Sequence, residues 1–219
     1  MLTNQLITTL YPTLNLFDKV SVALELMDDF DIQHLPVLSE EKYIGLISKE
    51  SLLDADENAL LQSMEDDLIR KAVKNTEHFL TALRLASNNL LSLVPVINDE
   101  LEWVGAVTMY ELIKASSNFM GAEEPGALIV LEMERKNYSF GEITRLVETN
   151  DAYITQFNTV TEAETGLLLV TIKMNKVEVS DIIATFQRYE YNIRYFIGEE
   201  QYENELRYNY DHLMSYLKM

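Results

Sequence analysis

The side chains able to bind or transform a ligand are few, and they recur at matched positions instead of forming one cluster. His34, His78 and His212 fall in three separate segments, too scattered for a metal-ligand set, so no metal site is expected. The chain has no cysteine, which removes thiolate nucleophiles, iron–sulfur clusters and thiolate zinc sites. No G-x-S-x-G, H-E-x-x-H or Walker lysine motif is present, so neither an activated nucleophile nor a phosphate-cradling lysine is supplied, and the reading is not an enzyme. What remains is Gly45 followed by Ser48 and Ser51, and Gly105 followed by Thr108 and Glu111. Each glycine marks a close approach to its backbone, by a ligand or by a neighbouring strand.

The elements that must position these residues form a repeat. Val22-Ala23-Leu24-Glu25-Leu26-Met27 matches Thr81-Ala82-Leu83-Arg84-Leu85-Ala86, and Pro36-Val37-Leu38 matches Pro95-Val96-Ile97, at the same offset of fifty-nine. Tyr43-Ile44-Gly45-Leu46-Ile47-Ser48 then matches Trp103-Val104-Gly105-Ala106-Val107-Thr108 at sixty. The added residue falls in the polar stretch Asn98 to Glu102, where a hairpin loop tolerates a length change. An apolar stripe at helical spacing (Val22, Leu26, Phe30; Leu83, Leu90) leads each copy, so the unit reads helix, strand, strand, helix.

Both copies resemble the CBS-domain family, whose motif is a strand ending in Pro-Val, a turn, then hydrophobic-Gly-hydrophobic-hydrophobic-Ser/Thr-x-x-Asp opening a helix. The likeness runs over about residues 3 to 118. It implies that the two copies pack as one pseudo-twofold module, and that Ser48 and Thr108 stand at helix N-termini facing a ligand phosphate. Either hydroxyl could equally cap its helix, which begins at Lys49 or Met109. The family aspartate that accepts from a ribose diol is Ser51 in the first copy and Glu111 in the second. Glu111 keeps an ionised acceptor and Ser51 does not, so the second copy retains more of the expected chemistry. His34 would lie near the mouth of the first site and contact the phosphate. The resemblance thus implies an adenine-nucleotide effector with no resident cofactor.

Past a linker at 121–126, rich in glycine and acids, apolar patterning predicts strands at 127–133, 153–160, 167–174 and 192–197 and helices at 139–148 and 179–189. That βαββαβ order implies a ferredoxin-like sheet backed by two helices. The first helix, with Glu142-Ile143-Thr144-Arg145-Leu146, resembles that of ACT domains. Asn137-Tyr138 replaces the Pro-Gly of ACT ligand loops, which points to dimerisation in place of amino-acid binding. Leu206, Tyr210, Leu213 and Leu217 give 199–219 the stripe of an amphipathic helix. The whole is α/β and α+β: a pseudo-twofold CBS pair at 1–120, with repeats at about 3–60 and 61–120, then an ACT-like domain at 127–198. This order resembles the B-type proteins associated with acetoin utilisation.

Composition bounds the partners. The formal net charge of −19, from 36 acidic and 17 basic residues, repels nucleic-acid backbones and anionic lipid surfaces. No window has the apolar length of a membrane span or a signal peptide, so a cytoplasmic location is expected. The functional expectation is a regulatory homodimer that senses a small metabolite, and the alternative is a scaffold whose sites have degenerated.

Overall fold

The computed structural model describes residues 1–199 and Met214. The expected terminal helix at 199–219, and His212 within it, lie outside the described residues apart from Glu199 and Met214. The chain divides into two compact units, Met1–Phe119 and Met120–Met219. Among the described residues no helix is long and apolar enough to cross a membrane.

In the first unit the repeat appears as two three-stranded sheets, each flanked by two helices. The first copy comprises β1 (Leu14–Asn15), α1 (Val20–Asp29), β2 (His34–Ser39), β3 (Lys42–Ser48) and α2 (Lys49–Leu53). The second comprises β4 (Val73–Lys74), α3 (Phe79–Asn89), β5 (Leu93–Ile97), β6 (Trp103–Thr108) and α4 (Met109–Phe119). The helix, strand, strand, helix order is present in both, each preceded by a two-residue strand that pairs in parallel with β2 or β5. Strands this short carry no periodicity, which is why patterning does not reveal them. The two hairpins break register at matched places, after Val37 and after Val96.

The helices form where the stripe predicts, but a different face is buried. Val20, Ala23 and Met27 of α1 and Phe79, Ala82 and Ala86 of α3 pack inward, while Val22, Phe30 and Leu90 are exposed. Each inward face sets alanine beside a large side chain, Met27 in α1 and Phe79 in α3. Leu90 stands just past the end of α3 in the left-handed conformation, which turns its side chain to solvent. The buried cluster of the first repeat also takes in Leu91, Leu93 and Ala106, so the core runs across both copies.

The copies are also interleaved. The residue 8 backbone pairs with β6, through Thr8 N–H to Ala106 O at 2.8 Å and Ala106 N–H to Thr8 O at 3.0 Å. Ile69 pairs with β3 in the same way, exchanging two bonds with Leu46 of 2.8 and 3.0 Å. Each sheet is therefore extended by chain that precedes the other repeat.

The second unit comprises β7 (Leu128–Met133), α5 (Phe140–Glu148), β8 (Ile154–Thr161), β9 (Leu168–Met174), α6 (Ser180–Arg188) and β10 (Asn192–Ile197). The antiparallel sheet has the order β10-β7-β9-β8, the split βαββαβ arrangement. Alternate residues of β9, from Leu168 to Met174, are buried with Ile143, Leu146 and Val147 of α5 and Ile182 and Phe186 of α6. Gly126, two residues before β7, has φ +153°, and a Cβ there would stand 1.9 Å from Met174 O. Only glycine lets the chain enter the sheet at that point.

Candidate functional site

The matched hydroxyls stand at equivalent ends of the two hairpins, where a strand turns directly into a helix. Ser48 closes β3 in extended conformation, and its Oγ accepts from Ser51 N–H at 3.1 Å, capping α2. Thr108 closes β6, and its Oγ1 accepts from Glu111 N–H at 3.2 Å at the start of α4. Both hydroxyls therefore serve as N-caps, each leaving its own O–H proton to be donated.

The acceptors three residues further on differ between copies. Ser51 Oγ lies 2.8 Å from Ser48 Oγ, so its hydroxyl is engaged within the helix turn. Glu111, in the first turn of the longer α4, is half-buried, and among the described residues its carboxylate takes part in no hydrogen bond or ion pair. Next to the Thr108 cap, the second copy thus presents a half-buried, unengaged carboxylate three residues past the capping hydroxyl, where the first copy has Ser51; the acid in the first turn of α2, Glu50, is exposed.

His34 is buried and pairs with Ser48 across the β2–β3 ladder. Its Nδ1 accepts from Ser92 N–H at 3.2 Å and lies 3.1 Å from Ser92 Oγ, which in turn accepts from Gln33 N–H at 3.2 Å. These bonds stitch the first repeat to the second at their pseudo-twofold seam. With Nδ1 as acceptor the neutral ring carries its proton on Nε2. Burial holds the imidazole below its ordinary pKa, which favours the neutral ring. One nitrogen is thus committed to the seam, so only Nε2–H is left for a ligand.

The structure brings His34, Ser48 and Ser51 together in the first copy and Thr108 with Glu111 in the second. Among the described residues no hydrogen bond joins the two groups. The link between them is the seam itself, because Ser92 precedes Leu93, which faces Thr108 across the β5–β6 ladder. At the hairpin tips a second seam forms. There Tyr43 N–H donates to Leu101 O and Trp103 N–H to Glu41 O, both at 3.0 Å, with the two rings stacked at 6.2 Å. The Tyr43 hydroxyl donates to Lys71 O at 2.8 Å and to Ile69 O at 3.3 Å, and burial raises its pKa above the ordinary tyrosine value.

The two glycines meet chain in close approach. A Cβ on Gly45 would stand 2.8 Å from Leu68 Cβ, and one on Gly105 would stand 2.4 Å from Ile7 Cγ2 and 2.9 Å from Thr8 O. They are the crossing points of the interleaved segments. Of the two readings of these glycines, the neighbouring-strand one describes what packs on them.

Gln33, Lys49 and Ser92 escape sequence reasoning, since Gln33 and Ser92 precede the matched strands and Lys49 falls at a position the motif leaves open. Lys49 forms an ion pair with Asp28, and its N–H donates to Gln33 O at 2.8 Å. A groove of about 420 Å³ lies against α2, lined by Gln33, Lys49, Glu50, Leu53 and Asp54.

Comparison with known proteins agrees with this architecture. Residues 5–58 match the family model for the CBS domain. A CBS domain pair/ACT domain protein from Thermotoga maritima is similar over 55% of this chain and 99% of its own, at 20% identity and a TM-score of 0.51, a likeness of fold. A protein named for acetoin utilization from Vibrio cholerae is similar over 57% of this chain and 98% of its own, at 18% identity and a TM-score of 0.47. A further structure, solved in complex with AMP, is similar over 54% of this chain and 97% of its own, at 21% identity and a TM-score of 0.44.

Proposed function

We propose, from the premise that residues 1–119 have the fold of a CBS-domain pair, that this pair is a regulatory module binding a small anionic metabolite, with an adenine nucleotide as the expected ligand. Thr108 and Glu111 are its principal contacts. Ser48, Ser51 and the Nε2–H of His34 serve a second, weaker position. The observation that carries this reading is the contrast between copies. The Glu111 carboxylate has no partner among the described residues, beside a capped helix start where a phosphate is favoured, whereas Ser51 is bonded to Ser48. A half-buried carboxylate at such a place is suited to accept from a sugar diol.

Binding would act through the seam. A ligand shifts conformation only if it prefers one state, and the Gln33–Ser92–His34 bonds are the element whose geometry a ligand beside Ser48 or Thr108 would alter. The readout is a changed homodimer or partner contact. ACT-like pairing of the second unit would supply the dimer, and the cytoplasm is the expected location.

A specific observation also favours the scaffold alternative. Ser48, Thr108 and Nδ1 of His34 each accept a backbone N–H within the chain, so each has a structural role that needs no ligand.

Thermal-shift and calorimetric titration of the full chain with AMP, ADP, ATP and S-adenosylmethionine separates the two. A ligand at about a hundred times its dissociation constant adds about 3 kcal/mol to stability. That gain should disappear in Glu111→Ala and remain in Ser51→Ala. No response to any of the four leaves the scaffold as the function, and an undiminished response in Glu111→Ala removes the site from the second copy.

A further inference from the structure

The second unit carries a feature on its helices, away from its sheet. Between α5 and α6 runs a groove of about 350 Å³, lined among others by Arg145, Asn150, Asp181, Thr185, Arg188 and Tyr189. Its walls are held at a fixed separation. Asn150 Nδ2 donates to Leu146 O at 2.8 Å and to Thr185 Oγ1 at 3.2 Å, tying the end of α5 to the middle of α6.

Two exposed arginines, one on each helix, line this groove. Arg188 takes part in no hydrogen bond or ion pair among the described residues. Arg145 lies over the Tyr189 ring at 5.5 Å, and the carboxylate nearest to it, that of Glu142, is 3.9 Å away, at the limit of an ion pair. In a chain with 36 acidic and 17 basic residues, Arg188 has no carboxylate partner among the described residues and Arg145 has a long one, in Glu142. Each stands in the last turn of its helix, where positive charge offsets the dipole. Charge in the last turn would serve the dipole from any face of the helix, so the dipole does not account for both arginines lining one groove.

We propose that this groove is an anion site, in which Arg145 and Arg188 take the oxyanion of a small metabolite, a carboxylate or a phosphate ester, while Tyr189 packs against its body. The planar donors of arginine suit a two-oxygen acceptor. Asp181 stands seven residues before Arg188 on α6, about 10 Å along the helix, and limits the ligand to one anionic end. The site is independent of the ligand proposed for the first unit.

The test is an NMR titration of the full chain, following the arginine Nε–H signals, with inorganic phosphate and with acetate at constant ionic strength. Saturable shifts of the Arg145 and Arg188 signals are expected, and the anion that produces them distinguishes phosphate from carboxylate. Arg188→Gln should weaken binding by about tenfold or more, and Arg188→Lys by less. Arg70→Gln, a change to an exposed cation of the first unit, should leave binding as it was. Shifts that do not saturate with either anion, equal binding by an Arg145→Gln, Arg188→Gln variant, or an equal loss in Arg70→Gln would each overturn the proposal.

Discussion

Nδ1 of His34 accepts the backbone N–H of Ser92 at 3.2 Å, a bond between residues 58 positions apart that closes the seam between the repeats. It holds only while that nitrogen is unprotonated. Burial places the folded-state pKa below the ordinary 6.5, so the unfolded chain takes up the proton first as pH falls. The stabilisation is complete above pH 6.5 and declines as pH drops through the folded value. Trp103, the single tryptophan, lies in this unit and reports its unfolding. In urea titrations followed by its fluorescence, wild type should lose its advantage over His34→Gln as pH falls below 6.5. Parallel pH profiles for the two proteins would show that the imidazole plays no such part.

Gly105 and Gly141 should respond oppositely to alanine. At Gly105 φ is +151° and the new Cβ would collide with Ile7 and with Thr8 O, so Gly105→Ala should cost about 2–4 kcal/mol. At Gly141 nothing lies within 4 Å, and the residue is helical, so Gly141→Ala should stabilise its unit by about 0.5–1 kcal/mol. Chemical denaturation, read by Trp103 for the first and by far-ultraviolet circular dichroism for the second, checks both signs.

The cap made by Thr108 is separable from any ligand role. Thr108→Val keeps the shape and removes the acceptor, which should cost about 1 kcal/mol and raise the hydrogen-exchange rate of the Glu111 amide. Thr108→Ser should retain both. An unchanged Glu111 exchange rate in the valine variant would mean that the hydroxyl does not cap α4 in solution.

Much of the fold is legible because it rests on local pattern. The Pro-Val strands, the Gly-x-x-Ser/Thr turns and the helical stripes follow from residue spacing inside single elements, and the repeat and the βαββαβ order follow from how those elements succeed one another. The site is only half legible, for a physical reason. The Ser48 and Thr108 caps are local bonds, whereas Ser92 reaches His34 over 58 positions and leaves no periodic trace. The same holds for Leu68 and Ile7 against the two glycines, where the sequence shows that something must come close but not what. The buried faces of α1 and α3 are hard to read from the pattern because Ala23, Ala82 and Ala86 take inward positions while Val22 of the apolar stripe is exposed.

Tyr43 gives a prediction about the connection between the repeats. Its hydroxyl holds the carbonyls of Ile69 and Lys71, and its pKa is raised by burial. Tyr43→Phe should cost about 1–2 kcal/mol and speed amide exchange near Ile69. In a spectrophotometric alkaline titration one tyrosine fewer should ionise after the substitution only once the protein has unfolded. Loss of a tyrosine that ionises in the folded range would contradict the burial.

The crossing of residues 7–8 onto β6 and of residues 68–69 onto β3 makes the halves hostage to one another. A fragment ending at residue 60 would keep every element of the first repeat yet leave the Leu46 edge of its sheet open, with bare strand backbone beside Gly45. Deleting the first ten residues would injure the second repeat, a hundred positions away, more than the one that follows the cut. The smallest piece that keeps both of these backbone crossings is therefore the duplicated whole.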